Sequence, residues 1–260
     1  MDLEVTMLNI HPLGHVSLLF GFLSAACLAA PVAPENEIPY KAIHFEVRDL
    51  KSGKNLSNGT ETINRRGDQL SKETIYWLGL DKSTVIQREL ATFSLSTLKP
   101  QDYQFENLQS GESVSLAQVS PNSDDIMIRY RPAKGLKDET TQIRWTSDLV
   151  LGKTLHHVIV RAWEALLNGK SRAFPLFVPM KRDHYRFRVI SRSKVKRPDD
   201  TQTISLELDQ WALRQLAPEM LFIYKEVSGV PRLERYEGPT TVTIDGDADR
   251  KVVIDFSYQT

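Results

Sequence analysis

Beyond residue 40 the chain carries four histidines, His44, His156, His157 and His184, and no cysteine. Thiol chemistry is excluded there, and a transition-metal site would have to draw on imidazole and carboxylate ligands. His156 and His157 are neighbours; on a helix they project about 100° apart and cannot grip one ion as an i, i+4 pair does. Asp245-Gly246-Asp247-Ala248-Asp249 opens like a calcium loop, but Arg250 stands at the sixth position, where glycine is needed, and Phe256 at the twelfth, where a bidentate glutamate is needed. A hairpin turn is the simpler reading, and neither a metal site nor a cofactor is expected. There is no Gly-x-Ser-x-Gly elbow and no glycine loop able to cradle phosphate. Carboxylates are plentiful, yet no spacing marks two of them as an acid/base couple, so no catalytic residue is assigned and an enzyme is the reading with least support. Arg66-Gly67-Asp68 spells an adhesion tripeptide, but in its context it reads as a polar hairpin tip.

The strongest local anomaly is Lys181 to Arg197, with eight basic residues and one acid. At strand spacing Arg186, Arg188, Arg192, Lys194 and Lys196 share one face, and Tyr185, Phe187, Val189 and Val195 share the other. Such a face can be an outward surface whose cations pair with Glu207 and Asp209 on the next strand. It can also be a platform for an anionic partner, lipid head groups or an envelope polymer, with peripheral membrane contact. No base-stacking aromatics share the face, so nucleic acid is not expected.

The chain as a whole does not repeat that bias: 260 residues hold 33 Lys+Arg against 33 Asp+Glu, and 41% are hydrophobic. A balanced, moderately apolar chain of this length can bury a core without staples and is neither disordered nor a polytopic membrane protein. Val16 to Ala30 is an uncharged run of the length of a signal-peptide apolar region, followed by Pro31. We expect a signal peptide over 1–29, an extended tether over 30–39 and one β-rich domain over 40–260. The protein would then be periplasmic. Asp2 and Glu4 do not suit the positive start of an export signal, and translation from Met7 would remove both. Cys27 follows small residues and makes an outer-membrane lipoprotein the alternative, although Ser24 stands where a lipobox has Leu.

From Tyr40 onward the dominant period is two. Val252, Ile254, Phe256 and Tyr258 form one face of a strand; so do Ile204, Leu206 and Leu208, and Ile126, Ile128 and Tyr130. Asn58-Gly59, Gly67-Asp68, Ser110-Gly111, Ser228-Gly229 and Asp245-Gly246 read as the turns between strands. Thr154 to Asn168 breaks the pattern: Leu155, Val158, Ile159, Ala162, Trp163 and Leu166 fall at helical spacing, with Thr154 as N-cap and Gly169 as the stop. A shorter helical turn is expected over Gln210 to Leu216. The fold class expected is mainly β, an antiparallel open barrel or strongly curved sheet of about a dozen strands around one central amphipathic helix.

The order of segments resembles a family of exported Gram-negative bacterial proteins of unknown function. The likeness rests on Thr74-Ile75-Tyr76 with Ser83 to Leu90, Leu98 to Tyr103 and Leu108 to Gly111, on Trp163 to Lys170 with Phe174 to Pro179, and on Phe222-Ile223-Tyr224, Arg232-Leu233, Arg235 to Pro239 and Val252 to Phe256. It covers about residues 40 to 258 and brings no activity and no cofactor. At fold level the resemblance extends to the open β-barrels that carry lipoproteins across the periplasm. The chain departs from the family at Gly152-Lys153-Thr154-Leu155-His156-His157, where a Gly-Phe-Asp-Asn-like run is usual.

Two functions fit. The first is a protein binding an apolar or amphiphilic ligand on the concave face of a curved sheet, with Trp163, Phe174, Phe187 and Phe222 lining it and Arg186, Arg188 and Arg192 meeting an anionic head group. The second is a non-catalytic module of the cell envelope, working through strand edges or the basic strand 181–197. Ligand identity and oligomeric state are not written in the sequence.

Overall fold

The computed structural model describes residues 40–120, 123–192, 200–210, 219–240 and 250–259. The expected leader, tether and Cys27 lie outside the described residues, as do Lys194, Val195, Lys196 and Arg197, all but Gln210 of the helical turn, and the loop Asp245 to Asp249.

Among the described residues fifteen strands hydrogen-bond into one sheet, where about a dozen were expected. The first half is β1 (Ala42–Asp49), β2 (Asn55–Arg66), β3 (Gln69–Leu78), β4 (Val85–Ser94), β5 (Pro100–Asn107), β6 (Ser113–Gln118), β7 (Asp125–Arg131) and β8 (Glu139–Arg144). The second is β9 (Val150–Leu151), β10 (Arg172–Val178), β11 (Asp183–Ser191), β12 (Thr201–Leu208), β13 (Met220–Val227), β14 (Val230–Pro239) and β15 (Lys251–Gln259). Two strands escape sequence reading for a simple reason: β8 has a single apolar residue, Ile143, and β9 is two residues long, so neither carries an alternation. Each half runs as sequence neighbours in order, antiparallel as expected except that the short β9 pairs parallel with β10 across the helix, and the halves join where β1 pairs antiparallel with β15. This leaves β8 and β9 as the two edges.

That topology forces the sheet to roll. Laid flat, fourteen inter-strand spacings of about 4.8 Å would set the edges on the order of 65 Å apart. The chain passes from the end of β8 to the start of β9 through residues 145–149, a strap that reaches at most about 20 Å. The edges must therefore curl toward each other. They do not pair, so the roll stays open. Arg182 nonetheless bridges the seam, ion-paired to Glu139 at the start of β8 and lying over the Tyr130 ring of β7. Trp145, Leu149 and Leu151 of the strap and β9 turn inward and pack with Leu70, Phe93, Leu116 and Ile128 from the first half.

Gly67-Asp68 and Ser228-Gly229 are two-residue hairpin loops as expected; Ser228 and Gly229 have φ of 53° and 82°, as a type I′ turn requires. Asn58-Gly59 is a correction, because it lies inside β2 rather than in a turn. The reason is steric: the Phe45 ring of β1 covers Gly59, and a Cβ there would collide with it.

The helix expected as one piece over 154–168 is split. A 3₁₀ turn at Gly152–Thr154 leads into α1 (Leu155–Arg161), and Ala162 separates it from α2 (Trp163–Leu167). Thr154 occupies the N-cap position without capping; its hydroxyl donates to the Leu151 carbonyl at 2.9 Å. Gly169, at φ of 76°, ends the helix as expected. The stripe Leu155, Ile159, Trp163 and Leu166 is buried against the inner face of β10–β13. Tyr185 is exposed, so the dry face of β11 begins at Phe187.

Gly59→Val should lower unfolding stability by about 1–3 kcal/mol through overpacking against Phe45. In a Phe45→Ala background the same substitution should cost clearly less, a coupling that urea unfolding of the four proteins measures.

Candidate functional site

The register of β2, β3 and β4 aligns Glu61, Thr74 and Glu89 in one row across three strands, all on the inner face. Two carboxylates so placed need a cation, and it arrives from the other side of the roll. Lys153, in the 3₁₀ turn before α1, lies 2.7 Å from Thr74 Oγ1, 3.1 Å from Glu61 and 2.9 Å from Glu89. Thr74 in turn donates to Glu61 at 3.1 Å, and the Tyr103 hydroxyl donates to Glu89 at 2.9 Å. Lys72, one step along the inner face of β3, stands 3.4 Å from Glu61. All four charges are interior: the side chain of Lys72 is 8% exposed, Glu61 and Lys153 13% and Glu89 14%.

Burial disfavours the charged form of Glu61, but Lys72, Lys153 and the hydrogen bonds from Lys153 and Thr74 outweigh it and hold its pKa down to about 2. Burial likewise works against the Lys153 ammonium, and Glu89 and Glu61 overcome it and hold its pKa above the ordinary lysine value. For the two histidines burial and the neighbouring cations act in the same direction. Desolvation, with Lys72 adding to it, pushes His156 down to about 3 and His157 well below its usual range, so both are neutral at pH 7. His156 Nδ1 sits 3.1 Å from the Tyr224 hydroxyl, with the two rings stacked, while His157 meets the Phe93 ring edge-on.

Glu61, Lys72, Thr74, Lys153, His156 and His157 form the polar side of a cavity of about 570 Å³ inside the roll. Ile43, Phe45, Leu233, Ile254, Phe256 and Tyr258, from β1, β14 and β15, supply an apolar and aromatic wall. Most of them are only half-buried although they point inward, because they face the void instead of other side chains. One end is bounded by the β2–β3 hairpin tip and the loop after β4, where Asp68 accepts hydrogen bonds from Ser94 and Ser96 and Arg161 donates to the Leu95 carbonyl. Asp68 of the adhesion-like tripeptide is thus tied down within the chain.

Of the residues expected to line a ligand site, Phe222 lines this cavity, whereas Trp163, Phe174 and Phe187 pack together in the core between the helix and β10–β13. Arg186, Arg188 and Arg192 do share a face, but none approaches the cavity. Arg186 pairs with Asp209 at 2.8 Å, Arg188 with Glu207 at 3.1 Å, and Arg192 with Glu207 and Glu219 at 2.7 and 2.9 Å. Among the described residues no three His, Cys, Asp or Glu side chains converge as metal ligands would.

Sequence reading missed Glu61, Lys72, Thr74, Glu89, Lys153 and the two histidines as a group. A signal for part of it was present in β3, where Lys72 and Thr74 alternate with Ile75 and Trp77 so that the polar residues face in. Another was the run Gly152 to His157, set apart only as a departure from a family pattern.

No family model matches the chain, and no curated protein matches it. Among solved structures it is similar to a β-barrel-like protein of the domain of unknown function DUF1849 from Brucella abortus, with a TM-score of 0.50 and 10% identity over 84% of this chain and 96% of that one. The fold is β-barrel-like. At that identity the likeness speaks for fold alone, and it agrees with the expected open barrel of unknown function. A porin-like protein from Bacteroides uniformis aligns at 8% identity over 85% of this chain and 98% of that one, but with a TM-score of 0.22.

Lys153→Met should destabilise the protein by about 3–5 kcal/mol, since it leaves two interior carboxylates with only Lys72 between them; Glu89→Gln in the same chain should restore part of the loss. Acid should act in two windows. As pH falls from 6.5 toward 3, His156 binds protons more readily unfolded than folded, and stability declines. Below 4.5 the stabilisation from the depressed Glu61, about 3 kcal/mol in full, is lost as pH approaches 2. Denaturant unfolding from pH 7 to pH 2 should show the first decline in Glu61→Gln and a clearly smaller second one, the remainder coming from aspartates such as Asp68 that hydrogen bonds also hold down.

Proposed function

We propose that the protein binds a small amphiphilic molecule inside the roll and does not transform it. The observation that carries this reading is the cavity itself: its volume falls within the roughly 300–1,000 Å³ of ordinary small-molecule sites, and a continuous apolar wall faces a compact polar cluster. An apolar chain laid against Ile43, Phe45, Ile254, Phe256 and Tyr258 would cover surface that the fold leaves uncovered. The neutral histidines, buried lysines and carboxylates opposite would receive a polar end. We place the protein in the periplasm, on the leader-like run Val16 to Ala30, which suits a carrier or sensor of envelope amphiphiles.

Stripped of co-purifying lipid, the protein should bind the neutral fluorophore N-phenyl-1-naphthylamine saturably at one site. Ile254→Trp, which fills the apolar side of the void, should weaken that binding at least tenfold while the unfolding midpoint stays near that of the parent. Absence of saturable binding in the parent protein would defeat the proposal.

A further inference from the structure

The antiparallel order of β1 to β8 sends every second connection to the same end of the roll. At one end lie the β1–β2, β3–β4, β5–β6 and β7–β8 loops, and each presents a leucine to solvent: Leu50, Leu80, Leu108 and Leu136 are 40%, 65%, 43% and 56% exposed. At the opposite end the same half-sheet turns through residues 67–68, 95–99 and 119–124. There Leu98 is buried, Leu95 packs on the core, and Val119 is the one exposed large apolar side chain among the described residues. A single exposed leucine is ordinary on a protein surface. Four loops out of four at one end is a pattern that turn formation does not require, since turns are served by Gly, Asn, Asp and Ser.

Charge is sorted along the same rim. Lys51, Lys54, Lys82, Lys134 and Lys137 stand exposed in these loops, and among the described residues none of their ammonium groups pairs with a carboxylate; Lys82 lies over the Trp77 ring instead. The neighbouring carboxylates are already engaged within the chain. Asp49 accepts from the Ser52 amide and hydroxyl at 2.7 Å, and Asp81 from the Ser83 hydroxyl at 2.8 Å. Glu112 accepts from the Tyr130 hydroxyl at 3.0 Å, Asp138 stands 3.9 Å from Arg129, and Glu139 is paired with Arg182. The rim thus keeps its anions occupied and offers its cations outward, which suits a negatively charged partner.

Spacing decides what kind of partner. Successive loops at this end are two strand spacings apart, about 10 Å. Leucines spread so thinly do not make the contiguous apolar centre of a protein interface. Each can enter a lipid surface separately while a lysine beside it meets a head-group phosphate. We propose that this end of the roll docks on an anionic phospholipid surface, the four leucines entering its apolar layer and the five lysines lying among the phosphates. The inference stands apart from the cavity, because none of these residues lines it.

The test is flotation of the full-length protein with vesicles of phosphatidylcholine alone or mixed with phosphatidylglycerol, near neutral pH. The parent protein should partition onto the mixed vesicles at least about tenfold more strongly, and added salt should narrow the difference. Residues 1–39 contain no Lys or Arg, so the leader-like run cannot supply that preference. Leu80→Ser with Leu136→Ser should weaken binding to the mixed vesicles about tenfold. Lys51→Gln, Lys82→Gln and Lys137→Gln together should erase most of the lipid preference, whereas Val119→Ser with Val227→Ser, at the opposite end, should change neither quantity. Equal binding of both vesicle types by the parent protein, or unchanged binding by the leucine pair, overturns the proposal. So does a dimer in lipid-free sedimentation velocity that the leucine pair abolishes, which would assign the rim to a second copy of the chain. The parent protein's preference needs no variant, so a leucine variant that does not fold leaves the test decisive.

Discussion

One ammonium group ties the two halves of this molecule together from within. Glu61, Thr74 and Glu89 belong to the first half-sheet, and Lys153 enters the sequence only after the strap has carried the chain across the seam. Interior carboxylates are costly to desolvate, and they are tolerated here because Lys153 sits within hydrogen-bond reach of the whole row. The same arrangement fixes register. Sliding β2 or β4 by one residue would turn its glutamate to the outer face and leave the buried Lys153 with one carboxylate fewer. The cluster therefore rewards one curvature of the sheet and one placement of the helix, which a purely apolar interior would specify less sharply.

The cavity follows from how that helix is used. Its stripe of Leu155, Ile159, Trp163 and Leu166 is committed to β10–β13, and the opposite side presents His156, His157, Val160 and Arg161 to the interior. Those side chains do not fill the space in front of β1, β14 and β15, so Ile254, Phe256 and Tyr258 face a void. The core of the first half-sheet is closed mainly by Trp145, Leu149 and Leu151 folding inward over it, with Val158 of α1 alone of the helix's apolar side chains packing against it. One helix serving a roll of fifteen strands leaves part of the inside unfilled.

How far the sequence could be read depended on whether a residue's neighbours were local. Alternation in β7 and β15 was plain, since Ile126, Ile128, Val252 and Ile254 face in whatever lies opposite. Period alone also placed the helix and its stop at Gly169. Asn58-Gly59 was misread because its glycine answers to Phe45 on another strand, and Trp163 was misassigned because burial against β10–β13 and exposure to a cavity look alike in one dimension. The ion cluster was the least legible. Glu61, Lys72, Glu89 and Lys153 are ordinary charged residues until the register of three strands and a strap across the seam bring them within a few ångströms of one another.

The ladder between β1 and β15 also sets an order in time. Ala42 pairs with Gln259, so the strand at the start of the domain can find its neighbour only when the last strand of the chain exists. Every other ladder joins strands consecutive in the chain, antiparallel across a connection or, for β9 and β10, parallel across the helix; this one must close a loop of about two hundred residues, at the largest entropic cost of any ladder in the sheet. Until that ladder forms, β1 and β15 each present an uncovered edge, the kind of edge that invites pairing between chains. The final zipper removes both edges in a single event, and the speed of that event relative to encounter between molecules decides how much of the chain reaches the rolled state.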